Sequence, residues 1–240
     1  KLCGGFVDDG RAKKMRQDGS AEFISASLYK GERKMTEIII IRHGETEWNQ
    51  TGRFQGHSDV PLSKTGRAQA EALGQNLALD YVDAIYASDL IRAMETAAPL
   101  AARFGLTVTP DPLLRELNFG AWEGRSFSDV NAENPNAMKQ FYNDPECADI
   151  PDSEPFPDFQ KRVAGRVREI AELHRGKRIV IVSHGASIRI LLADILAMPI
   201  RSIWHISQLN TAVNKIRFED DGFAIVTLMN DTSHLRGVGQ

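Results

Sequence analysis

Two tripeptides, Arg42-His43-Gly44 and Ser183-His184-Gly185, carry residue types that could do chemistry. Each closes an apolar, β-branched run, at 38–41 and within 178–183, of the kind that forms a strand buried on both faces. In an open α/β sheet, ligands bind beyond the carboxyl ends of the strands, so histidines leaving two adjacent parallel strands would face each other across one site. A lone strand-end histidine is read as a backbone hydrogen-bond partner. Two matching endings with an arginine beside them point instead to imidazoles working next to a fixed positive charge, as nucleophile, acid or base.

That charge has to be local. The 240-residue chain has 29 Lys plus Arg against 32 Asp plus Glu, a formal net charge of -3. No overall basic field is available for nucleic acid or an anionic membrane. With 42% hydrophobic and 25% charged residues, fibrous and fully disordered classes are excluded. The most apolar stretch, 188–200, is interrupted by Arg189, Asp194 and Pro199 and falls short of the roughly 20 residues of a spanning helix. Cys3 and Cys147 are too few for a disulfide framework and lack zinc-ligand spacing. The expected location is the cytoplasm. His57, His174, His205 and His234 form no metal cluster by spacing, and no metal or cofactor is implied.

The elements that must position the two endings follow from periodicity. Apolar runs alternate with amphipathic stretches from Glu37 onward, which indicates an α/β fold: a three-layer sandwich with a mostly parallel central sheet flanked by helices. Strands are expected at 38–41, 84–87 and 178–183. Ser63 is placed to cap a helix carrying Ala70, Leu73 and Leu77, and a second helix runs through Leu90, Ala93, Ala97 and Leu100. Phe159, Val163, Val167, Ile170 and Leu173 mark a helix over 158–174 that passes through Gly176 into the second buried strand. A hairpin of 212–218 and 223–229, turning at Asp220-Asp221-Gly222, closes the chain. Residues 131–157, rich in proline and acids, read as an insertion over one face.

Residues 1–34 carry eight Lys or Arg against five acids and show no sustained periodicity. They are read as an N-terminal extension ahead of a single domain over 35–240.

Further blocks occur in a fixed order: Glu45-Thr46 and Trp48-Asn49 after the first tripeptide, Gly52-Arg53-Phe54-Gln55-Gly56, Ser88-Asp89-Leu90-Ile91-Arg92-Ala93, and Leu114-Arg115-Glu116-Leu117-Asn118-Phe119-Gly120. Together with Ser183-His184-Gly185 they resemble the histidine phosphatase superfamily, the group that includes the cofactor-dependent phosphoglycerate mutases. Phosphoryl transfer needs an in-line nucleophile, cations around the equatorial oxygens and a proton for the departing alkoxide. The resemblance implies His43 as nucleophile, forming a phosphohistidine that water cleaves. It implies Arg42 and Arg92 as the phosphoryl clamp, His184, protonated beside the phosphate, as a further donor, and Asn49, Gln55, Gly56 and Gly185 as substrate contacts. Glu116 is the candidate proton donor, since a partly buried carboxyl beside a dianion holds its proton more tightly.

Glu116 is followed by Leu117-Asn118-Phe119, which resembles the phosphatase branch, whereas mutases carry extra basic residues there for a phosphoglycerate carboxylate. The expected activity is hydrolysis of a small phosphorylated metabolite, by a monomer or a homodimer. The alternatives are a bisphosphoglycerate-dependent phosphoglycerate mutase and a phosphoester-binding regulatory protein without turnover.

Overall fold

The run Ile38-Ile39-Ile40-Ile41 has no polar face, so it belongs in the middle of a sheet covered on both sides. The computed structural model describes residues 35–237; the expected extension over 1–34 lies outside the described residues. The four isoleucines sit in β1 (Thr36–Arg42), all fully buried. Ile38 and Ile40 join one apolar cluster, and Ile39 and Ile41 join another, as the two-residue period of a strand requires.

The chain continues through a short α1 (Glu47–Gln50), α2 (Lys64–Asn76), β2 (Ala84–Ala87), α3 (Ile91–Phe104) and β3 (Val108–Pro110). Next come α4 (Phe127–Glu133), α5 (Pro135–Asn143), α6 (Phe156–Leu173), β4 (Arg178–Ser183), α7 (Gly185–Ile195), β5 (Val213–Phe218) and β6 (Ala224–Asp231). The six strands lie in the order β3-β2-β4-β1-β5-β6. The first four are mutually parallel, and β5 and β6 run antiparallel at the other edge. Helices α2 and α3 bury their apolar residues against one face, while α5, α6 and α7 cover the other. This is the expected three-layer α/β sandwich.

Local rules explain the boundaries. The Ser63 side chain accepts from the Gly66 N–H and starts α2. Gly105, at φ +65°, ends α3 in the left-handed region. Helix α6 begins two residues earlier than its periodicity suggested, at Phe156, because Pro157 fits the first turn of a helix and the Phe156 ring is buried with the core. The three-residue β3 carried too little apolar signal to be expected. Residues 131–157 are more than a cover: α5 sends Ala137, Met138 and Phe141 into the core on one face. No helix among the described residues is long and apolar enough to cross a membrane.

What matters for the site is the register. Strands β1 and β4 pair in parallel with Arg42 opposite Ser183, so both end at the same level.

Candidate active site

The His43 N–H donates to the Ser183 carbonyl (2.9 Å), which ties the end of β1 to the end of β4. The two imidazoles, distant in sequence, come to lie with ring centroids 5.2 Å apart. Both rings are buried, at 3% and 0% exposure; His43 is not at an exposed strand end.

Their hydrogen bonding differs. His43 Nδ1 lies 2.7 Å from the Gly44 carbonyl, which can only accept, so Nδ1 carries the hydrogen and Nε2 keeps its lone pair. His184 has no partner at either ring nitrogen among the described residues. Burial, then Arg92 and Arg42, push the His43 pKa well below 6.5. Burial, then Arg92, His43 and Arg42, do the same to His184. In the protein alone, burial and then the guanidiniums of Arg92 and Arg42 therefore favour a neutral His184 ring, whereas the expected protonation is that of the ring beside a bound phosphate.

Gly44 is a packing requirement. A Cβ there would stand 2.7 Å from the Gly66 carbonyl oxygen, so glycine lets the strand end pass against the start of α2. Its N–H donates to the Thr96 hydroxyl (2.9 Å), which donates in turn to the Arg92 carbonyl (2.6 Å), linking the end of β1 to α3.

Arg92, fully buried in the first turn of α3, donates to the carbonyls of Gly56 and Ser58, both at 2.8 Å. Arg42 donates to the Gln208 carbonyl at 2.6 Å. Each keeps an Nε without a partner among the described residues, and burial lowers each pKa to about 10. Two anchored, incompletely paired guanidiniums form an anion site built before any ligand arrives.

Glu116 pairs with neither Arg115 nor Arg92; Arg115 is taken by Asp89 in a two-pronged ion pair. The Glu116 carboxylate instead receives the first N–H groups of α7, from Ala186 and Ser187 at 3.0 Å each, because His184 at the cap position offers no side-chain cap. Three donors meet Oε1, from Leu117 N, Ser187 N and Ser187 Oγ, but only Ala186 N meets Oε2. Oε2 is the less occupied of the two oxygens.

These groups line one cavity of about 510 Å³ that contains Arg42, His43, Arg92, Glu116, Asn49, Gln55, Gly56 and Gly185. The His184 ring stands directly beside that of His43, and its successor Gly185 lines the wall. Of the candidate site residues, all but His184 line this cavity; His184 is fully buried beside His43.

A family model described as "Histidine phosphatase superfamily (branch 1)" matches residues 38–231. The chain belongs to the histidine phosphatase superfamily. Among curated proteins it is 32% identical over 205 residues to a probable phosphoglycerate mutase GpmB of Yersinia pestis (strain Pestoides F), covering 84% of this chain and 95% of the relative. Among solved structures it matches YhfR of Bacillus stearothermophilus, with a TM-score of 0.79 and 33% identity over 83% of this chain and 99% of that one. It also matches the phosphoserine phosphatase of Entamoeba histolytica in complex with 3-phosphoglyceric acid, with a TM-score of 0.75 and 31% identity over 83% and 99%.

Within this superfamily member, Asn49 and Gln55 are braced from behind: Thr46 donates to both side-chain oxygens. Glu123 is structural, accepting from the N–H groups of His57 and Ser58 and from the Ser58 hydroxyl. Phe119 lines the cavity, whereas Trp122 is packed behind it. Burial and then Lys177 lower the His174 pKa, and its Nε2 pairs with the Tyr86 hydroxyl at 2.8 Å.

Some wall residues carried no sequence signal. Tyr142, Phe141 and Trp204 come from the 131–157 region and the turn after α7, and Asn210 donates to the His43 carbonyl at 3.1 Å. Arg189 had one: it is a lone cation in an apolar helix. The segment after Glu116 supplies no basic residue, as expected, and Arg189 lines the cavity from α7.

Proposed function

We propose that this chain is a metal-independent phosphatase that hydrolyses small phosphomonoesters through a phosphohistidine on His43, with Glu116 as proton donor. The observation that carries this reading is the fixed tautomer of a buried, neutral His43, whose Nε2 lone pair is left for attack between two guanidiniums and a second imidazole.

In the first step Nε2 bonds to phosphorus, the bond from phosphorus to the ester oxygen breaks, and the Glu116 Oε2 proton passes to that oxygen. The Gly44 carbonyl accepts the Nδ1 hydrogen throughout and offsets the positive charge that builds on the ring. Arg42, Arg92 and His184 hold the equatorial oxygens. In the second step a water molecule attacks phosphorus, Glu116 takes its proton, the P–N bond breaks, and phosphate and neutral His43 are regenerated. The phosphatase named among the structural matches supports this reading. The relatives named probable phosphoglycerate mutase favour a second one, in which the phosphoryl group returns to a phosphoglycerate rather than to water.

The test is phosphate release from 4-nitrophenyl phosphate and 3-phosphoglycerate in the presence of a chelator, alongside interconversion of 2- and 3-phosphoglycerate. Hydrolysis exceeding interconversion supports the phosphatase. Faster interconversion supports the mutase, and turnover of neither supports a binding protein. The Glu116→Gln variant should lose about 10²- to 10⁴-fold in kcat on the alkyl ester but only a few-fold on the aryl ester, whose leaving group needs little protonation. Equal losses on both would remove Glu116 from the acid role.

A further inference from the structure

Glu116 sits on a segment, 115–119, that forms no helix or strand of its own. Arg162, early in α6, supplies the bonds that such a segment lacks. Its Nη1 donates to the carbonyls of Leu113 and Arg115, both at 3.0 Å, and its Nη2 donates to the Glu116 carbonyl at 3.1 Å. Glu154 holds the opposite edge of the guanidinium, with Nε and Nη2 each 2.7 Å from one of its carboxylate oxygens. The five N–H donors of the fork are therefore all used. One face of the guanidinium lies over the Phe159 ring, 5.2 Å from the centroid.

Glu154 is itself tied to the same segment. Its N–H donates to the Asn118 carbonyl at 3.0 Å, and just beyond, the Ala121 N–H donates to the Pro151 carbonyl at 2.9 Å. A Cβ on Gly120 would stand 2.2 Å from that Pro151 oxygen, so glycine lets the two stretches meet. The Arg162 and Glu154 side chains are only 17% and 18% exposed. Removing the arginine would leave a carboxylate and three carbonyls short of a partner in a largely dry place. Arg162 is not among the residues that line the cavity. Its effect on a substrate would have to pass through the residue whose backbone it holds.

We propose that Arg162, fixed by Glu154, is a positioning residue for the proton donor. Proton transfer needs the carboxyl within hydrogen-bond reach of the leaving oxygen, and a misplacement of about 1 Å can cost about 10²-fold. The first N–H groups of α7 direct the Glu116 carboxylate, and Arg162 sets the backbone from which that carboxylate extends. This rests on the phosphatase reading above, in which Glu116 gives its proton to the departing alkoxide.

The test compares kcat/KM on 3-phosphoglycerate and 4-nitrophenyl phosphate for the wild type, Arg162→Met, Glu116→Gln and the double variant, with Tm as the check on folding. This constant covers the steps up to departure of the alcohol, so the later attack by water does not enter. Arg162→Met should lower it about 10- to 100-fold on the alkyl ester and less than about threefold on the aryl ester, whose leaving group needs little protonation. In the double variant the alkyl loss should match that of Glu116→Gln alone, because the arginine acts through that carboxyl. Equal losses on both esters, no loss on either, or losses that multiply in the double variant would overturn the proposal. Should Arg162→Met not fold, Glu154→Gln keeps the arginine but loosens its fork, and should show the same ester-dependent loss at about 3- to 10-fold. An equal loss on both esters there would overturn the proposal as well. If the wild type hydrolyses neither ester, or Glu116→Gln does not distinguish them, the acid role falls and the positioning role with it. A Glu116→Gln difference that survives while Arg162→Met shows none sinks the positioning role alone.

Discussion

The ends of β1 and β4 carry nearly the same residues and do different things. At the end of β1 the backbone turns so that the Gly44 carbonyl fixes the His43 tautomer. At the end of β4 the chain enters α7 at once, His184 occupies the cap position, and its ring is left without a partner among the described residues. Even the glycines differ: Gly44 admits the backbone of α2, whereas Gly185 admits two guanidiniums. A histidine following a buried strand is therefore not a role. The role comes from what holds the second nitrogen, and that partner is a backbone atom with no signature in sequence.

This asymmetry can be broken from either side. The largest effect is expected for His43→Ala, which should lower kcat by on the order of 10⁴-fold or more, because the substitution removes the proposed nucleophile itself. Retention of even a tenth of the wild-type rate on steady-state assay would contradict the assignment. His184→Ala should cost less, about 10²- to 10³-fold, as for loss of one donor to a transition-state oxygen, and the phosphoenzyme should still form slowly.

The pH dependence of stability sharpens the comparison. Both rings have folded-state pKa values below the 6.5 of the unfolded chain. Below about pH 6.5 the unfolded state binds more protons, so stability must fall as the pH drops through that value toward the lower folded-state pKa values. Thermal unfolding at pH 8, 6.5 and 5 should show the Tm falling toward acid, and saturating inorganic phosphate should reduce the fall by supplying the missing negative charge. A Tm that rises toward acid would mean the rings are charged in the folded protein. The smallest effect belongs to the region outside the site: deletion of residues 1–34 should leave kcat within about twofold, and a large loss would place that segment in the site or at an interface.

The fold was readable because the central strands could go nowhere else. Ile38-Ile39-Ile40-Ile41 and the run within 178–183 have no polar face, and the Phe159 to Leu173 spacing fixes α6 against them. The site residues beyond the two strand ends came from a different source, the ordered blocks that resemble the histidine phosphatase superfamily. What escaped was set by tertiary contact alone. The Gln208 and Asn214 side chains bond each other, Asn214 also accepts from the Asn230 N–H, and the Asn230 side chain accepts from the Leu209 N–H, holding the loop that delivers a carbonyl to Arg42 and Asn210 to His43. None of those amides differs in sequence from an ordinary surface residue. Glu116 is the candidate proton donor, yet its seat on the α7 N-terminus depends on a packing of distant segments that no local pattern encodes.

The central claim, that the two matching strand ends divide into one nucleophile and one donor, is tested most directly by locating the phosphoenzyme. Wild-type protein mixed with ³²P-labelled 3-phosphoglycerate, quenched in base within milliseconds and digested with trypsin, yields His43 in a peptide ending at Arg53 and His184 in one ending at Arg189. Base-stable, acid-labile label confined to the His43 peptide is the predicted result. Label on the His184 peptide, or an acid-stable linkage on either, would contradict it.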